Sequence, residues 1–137
     1  MLLQMNRTRK GFTLVEIMIV VAIIAMLAAI AVPNFLRARK RAQATRMMED
    51  LRLIDSAIDQ YAVEKGKKKN DSVTWYDIRR YIKDGTQLYS TGTSAIGIPY
   101  TGGTYQVDVP PSTPPGTGAA LSDVAPPSFW SPYSLAN

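Results

Sequence analysis

Lys10-Gly11-Phe12-Thr13-Leu14-Val15-Glu16 runs without a break into sixteen apolar residues, Ile17 to Val32. From Phe12 to Leu36 only Thr13, Glu16, Pro33 and Asn34 interrupt the apolar character. At 1.5 Å per residue a helix of this length reaches roughly 37 Å, enough for a bilayer core of about 30 Å. A soluble core helix would normally carry a polar face, and a cleaved signal peptide would have a shorter apolar region ending at small residues. Ala28, Ala29 and Ala31 can imitate such a site, which keeps the signal-peptide alternative open. The stretch predicts a membrane-spanning helix over residues 12–36. Within it, Glu16 is an expensive residue, because a carboxylate in hydrocarbon costs several kcal/mol unless a partner neutralises it.

Working outward, the flanking charges do not orient this helix. Arg7, Arg9 and Lys10 lie on one side, and Arg37, Arg39, Lys40 and Arg41 on the other. Taken alone, the positive-inside rule would favour retaining the C-terminal side. The 137-residue chain has room for one small domain beyond the anchor. Its formal charge is +5, and removal of Arg7, Arg9 and Lys10 would leave 5 − 3 = +2. Basicity is therefore a weak argument for nucleic acid. With no cysteine and no histidine, thiolate and imidazole metal sites, histidine-based triads and disulfides are excluded. No metal ligand set, cofactor motif or nucleophile–base pair is visible, so the residues point away from an enzyme.

Residues 37–66 predict an amphipathic continuation of the helix. Met47, Leu51, Ile54, Ile58 and Tyr61 recur at alternating spacings of four and three, with Arg46, Glu49, Asp50, Arg52, Asp55 and Asp59 between them. That stripe calls for a sheet or a second helix packed across it. Gly66 is placed to end the helix. Lys65, Lys67, Lys68 and Lys69 form a basic run, but no aromatic residues interleave with them as in single-strand binders. Nucleic acid is not expected as a partner.

Residues 67–137 predict a small globular region. Thr74 and Asp77 have capping-box spacing ahead of a short helix through Lys83, with Trp75, Ile78 and Ile82 turned inward. Tyr105, Val107 and Val109 alternate as one face of a strand. Ile96 to Thr101 are expected to pair with it through Gly102-Gly103. Eight of the nine prolines lie beyond Asp84, so a long loop is expected after Val109. Phe129, Trp130 and Tyr133 suggest that this loop docks on the domain itself or on a neighbour. Asp108 and Asp123 are too sparse for a calcium site.

The residues KGFTLVEIMIVVAIIAMLAAIAVPNFLRARKRAQ closely resemble the N-terminus of type IV pilins and of type II secretion pseudopilins. The resemblance covers about 30 residues and joins a basic leader, Gly before Phe, an acid four residues further on, an apolar spine and a Pro-Asn break. It implies a leader, residues 1–11, that stays cytoplasmic in a bacterial inner membrane while the C-terminal domain is exported. A prepilin peptidase would cut between Gly11 and Phe12 and methylate the new Phe12 amine. Glu16 would then contact that amine on a neighbouring copy, on an inner-membrane assembly platform, as the subunit leaves membrane lipid for a filament. Many relatives carry glycine where this chain has Ala25, so a simple bend at Pro33 is expected rather than melting of the helix. Many also close a C-terminal loop with a disulfide, which this chain cannot form.

The fold expected is α+β: a long N-terminal helix on a small antiparallel sheet with a Pro-rich C-terminal loop. The function implied is that of a self-polymerising subunit of a type IV pilus-like or secretion pseudopilus filament. The alternative is a minor pilin or pseudopilin that primes assembly or binds cargo or DNA.

Overall fold

The computed structural model describes residues 10–136, so Arg7, Arg9 and most of the expected leader lie outside the described residues. Two compact units divide the chain, Met1–Leu36 and Arg37–Asn137. In the first, helix α1 (Leu14–Lys65) begins two residues after Phe12 and carries Pro33 within it. Pro33 has no N–H, so the Ala29 carbonyl loses its helical donor, yet the run of helix is unbroken. Residues 25–33 are helical throughout.

The second unit contains the folded core. Its remaining elements are β1 (Ser72–Thr74), α2 (Trp75–Ile78) with a 3-10 turn at Arg79–Tyr81, α3 (Gln87–Thr91), β2 (Thr104–Gln106), α4 (Thr117–Leu121) and a second 3-10 turn at Pro127–Trp130. The periodic stripe of α1 supplies the floor. Ala44, Met47, Leu51, Ile54 and Ile58 are buried against Val73, Ile78, Leu121 and Trp130, whereas Tyr61 is half-buried and meets Tyr81 edge-on at 6.2 Å. Gly66 ends the helix at φ +62, and the Lys67 N–H donates to the Ala62 carbonyl at 2.9 Å, closing a Schellman turn. At α2 the Asp77 carboxylate accepts from the Thr74 N–H at 2.9 Å and its hydroxyl at 2.6 Å, and Trp75, Ile78 and Ile82 are buried.

The long helix and small antiparallel sheet are as expected, but the strand pairing is not. β2 pairs with β1, Val73 opposite Tyr105, instead of with residues 96–101 through Gly102-Gly103. Residues 93–100 are held by their own bonds: Ser94 N–H to Ile98 O at 2.8 Å, Gly97 N–H to Ser94 O at 2.9 Å, and Tyr100 N–H to Gly92 O at 2.8 Å. Pro99 has no N–H to offer a ladder. The expected face is also shorter, since Tyr105 and Val107 are buried but Val109 is 37% exposed.

The tail is not a plain loop. The prolines at 110, 111, 114 and 115 exclude a regular strand, but Ala119, Ala120 and Leu121 then form α4, and Pro127 opens a 3-10 turn. Trp130 is completely buried, with Phe129 edge-on to it at 5.2 Å, and the Thr113 N–H donates to the Ser134 carbonyl at 2.9 Å. Lys40 reaches Asp123 at 3.0 Å across 83 positions. Of the two docking places left open, the tail takes the domain's own surface. Gly92 is fixed by both backbone and space: its φ is +63, and a Cβ there would lie 2.5 Å from Thr101 Cγ2 and 3.3 Å from the Trp75 ring.

Leu51→Ala is expected to cost about 2–5 kcal/mol of domain stability, while Leu53→Ala, at a 42%-exposed position two residues further on and on the opposite side of the helix, should cost well under that. Urea unfolding followed by circular dichroism checks this. Equal losses would mean that the stripe is not the floor of the core.

Candidate functional site

Lys10 to Thr13 precede the helix and are exposed, with Phe12 85% accessible. Thr13 caps α1. Its Oγ1 accepts the Glu16 N–H at 3.2 Å, and Glu16 Oε2 accepts the Thr13 N–H at 3.1 Å and hydroxyl at 3.3 Å. This is a reciprocal capping box, which satisfies donors that a helix start leaves orphaned. The carboxylate in the first turn also complements the positive end of the helix dipole. The sequence carried the signal: Thr-x-x-Glu ahead of an apolar run is the capping-box pattern. These donors are neutral, so the Glu16 charge gains hydrogen bonds but no opposite charge, and only one of its two oxygens is engaged among the described residues.

Beyond Glu16 the helix presents apolar side chains all round. The large apolar residues from Ile17 to Leu36 are each more than half exposed, and the membrane-length window of the helix has none of its residues buried. Covering such a surface is worth on the order of tens of kcal/mol at about 1.5–3 kcal/mol per side chain. Pro33 lies near the end of this stretch.

In the domain, Asp50 stands apart from the other acids of α1. It was read as part of the polar face, but it is half-buried at the edge of a cleft of about 320 Å³ with Arg46, Glu49, Thr86 and Thr93. Burial pushes its pKa up to about 6; Arg46 lowers it and Glu49 adds to the rise. Burial also raises Asp55, with Asp59 contributing. The Tyr100 hydroxyl is buried and has no hydrogen-bond partner among the described residues, and burial together with the Asp50 charge holds its pKa well above the usual phenol range. Asp123 is held below the usual carboxylate range by its bond from Lys40. The lysines at 67, 68 and 69 are exposed. A second cleft, of about 670 Å³, lies between β2 and the tail, is lined by Tyr100, Tyr105 and prolines, and contains no charged side chain.

With this geometry in place, the chain can be set beside known proteins. Residues 6–32 match the prokaryotic N-terminal methylation motif. A fimbrial protein of Pseudomonas aeruginosa is 38% identical over 94 residues, covering 67% of this chain and 60% of the relative. The type IV major fimbrial protein FimA of Dichelobacter nodosus is 43% identical over 99 residues, covering 72% and 61%. The type II secretion system core protein G of Dickeya chrysanthemi is 33% identical over 63 residues, covering 46% and 41%. The chain thus spans about 60% of the length of the fimbrial relatives it matches. No solved structure matches it. The class recognised at Lys10 to Glu16 stands: the chain carries the N-terminal methylation motif, and its relatives come from the type IV pilin and type II secretion pseudopilin family.

Asp50→Asn should stabilise the domain at pH 7 by on the order of 1 kcal/mol, a figure reduced for solvent screening of a half-exposed group. The folded chain holds this proton up to about pH 6, whereas the unfolded chain releases it near its ordinary value of 3.8. The Asp50 contribution therefore declines as pH rises through that window, and the Asn variant should lack this decline. Urea midpoints of both proteins between pH 4 and 7 provide the check; parallel pH profiles would rule out a raised Asp50.

Proposed function

We propose that the chain is the building block of a filament, a type IV pilus-like fibre or a secretion pseudopilus, and that it works by polymerising rather than by catalysis. One observation carries this: a helix with an uninterrupted exposed apolar surface begins with a carboxylate that has one oxygen still free among the described residues. Such a surface needs lipid at first and other copies of the same helix later. The motif match and the fimbrial relatives support the reading.

In this proposal residues 1–11 are a leader removed by a prepilin peptidase between Gly11 and Phe12, and the new Phe12 amine is methylated. Residues 12–36 anchor the subunit in the bacterial inner membrane with the domain exported, and they form the filament core after assembly on a membrane platform. Residues 37–66 join that core to the globular region, 67–137, and Pro33 lets the helix bend between neighbours. Glu16 receives the Phe12 ammonium group of an adjacent copy on the oxygen that Thr13 leaves free. The intramolecular cap can then persist inside the filament, and the new ion pair removes the cost of an unpaired buried charge.

Two measurements bear on this. Mass spectrometry of protein from cells with an active peptidase should find a chain beginning at methylated Phe12; an intact Met1 terminus would defeat the cleavage claim. Glu16→Gln keeps the cap acceptor but removes the charge, so it should be processed normally yet yield filaments reduced at least about a hundredfold, the scale of one broken buried pair at about 3–5 kcal/mol. Filaments from Glu16→Gln at wild-type yield would leave Glu16 as a helix cap and nothing more.

A further inference from the structure

Arg37, Arg39, Lys40 and Arg41 follow the apolar run directly, and only one of them is neutralised. Lys40 is held by Asp123 at 3.0 Å. The three arginines are exposed and form no ion pair among the described residues. Four positive charges less one carboxylate leave 4 − 1 = +3 within five residues. The placement on α1 says what could balance them. They lie five to nine positions beyond Val32, roughly 7–14 Å along the helix axis from the end of the apolar run. The headgroup layer of one leaflet is about 5–8 Å deep, and arginine stems can bend several ångströms toward it.

Their angular arrangement favours a layer over a single partner. Arg37 and Arg41 are four residues apart and share a face of the helix, whereas Arg39 is two residues from each and projects from the opposite side. A protein or nucleic acid docking from one direction would leave part of the cluster unmatched. A layer of headgroups can approach the exposed helix from more than one side and so reach arginines that project in different directions. We propose that Arg37, Arg39 and Arg41 form a collar that binds the phosphates of anionic phospholipids around the unassembled subunit. Guanidinium groups suit phosphate because they donate paired hydrogen bonds in a fixed plane. The collar gives a role to the charge that made the flanks of the membrane segment ambiguous. It rests on the anchoring described under the proposed function, but not on polymerisation.

The test uses the processed full chain reconstituted in phosphatidylcholine vesicles containing a trace of spin-labelled phosphatidylglycerol or spin-labelled phosphatidylcholine. Electron paramagnetic resonance reads the fraction of each label immobilised at the protein. The wild type should prefer the anionic label at least about threefold in low salt, a modest share of the roughly fivefold per arginine available at an anionic surface. The preference should fall toward one as ionic strength approaches about 1 M, where the screening length is near 3 Å. The triple variant Arg37→Gln, Arg39→Gln, Arg41→Gln should show no preference while retaining wild-type circular dichroism, and Arg52→Gln, further along α1, should keep it. If the triple variant misfolds, Arg37→Gln alone should still lower the preference. A wild type without preference, or a triple variant that retains it, overturns the collar. So does retention of a labelled DNA oligonucleotide on neutral vesicles through these arginines in place of lipid selectivity. A carbonate wash separates the failures: a chain stripped from the vesicles refutes the anchor itself, whereas a chain that stays but shows no selectivity refutes only the collar.

Discussion

The fold depends on burying one side of the C-terminal half of α1. Ala44, Met47, Leu51, Ile54 and Ile58 are almost completely inaccessible, and they share one core cluster with buried side chains such as Val73, Ile78, Leu88, Tyr105, Leu121 and Trp130. Neither β1 nor β2 exceeds three residues, and two such strands have little stability on their own. The helices after α1 are one turn or slightly more, below the length at which an isolated helix holds. They persist through packing into the cluster that this stripe belongs to. With no cysteine to cross-link the chain, apolar burial has to do this alone.

The same helix poses the opposite problem in its N-terminal half, where apolar side chains face outward in every direction. No described residue of the first unit covers that surface, so its stability depends on surroundings outside the chain. Glu16 fits that situation in two ways. Its bonds to Thr13 keep it engaged when the chain is alone, and its remaining oxygen leaves capacity for a second charge. A carboxylate serving as a helix cap needs no neighbour to hold its rotamer.

Much of this could be read from the residues because the relevant patterns are local. The membrane-length run, the spacing from Met47 to Ile58, the Thr74–Asp77 cap and the Gly66 terminator each depend on neighbours within a few positions, and all are in place. The strand pairing is not legible this way: Gly102-Gly103 is a sound turn signal, while the choice of β1 depends on contacts some thirty residues away. Ser72-Val73-Thr74 is too short to register as a strand. The helix α4 was hidden by the prolines on either side of it, and the depth of Asp50 is set by loops that sequence periodicity does not see. At the candidate site, the Thr13–Glu16 cap is legible in the Thr-x-x-Glu spacing, because it too depends only on neighbours three positions apart.

The position of Trp130 in the chain has a consequence for how the domain is made. The largest fully buried side chain comes from the last tenth of the sequence and rests on a helix that is synthesised first. The contacts joining these ends span most of the domain, and such non-local closure comes late and slowly. During synthesis the apolar stripe of α1 therefore waits uncovered until nearly the whole polypeptide has emerged. An emerging chain of this kind needs shelter from aggregation for almost its entire transit, and a chain stopped a few residues early would lack the side chain that closes its core.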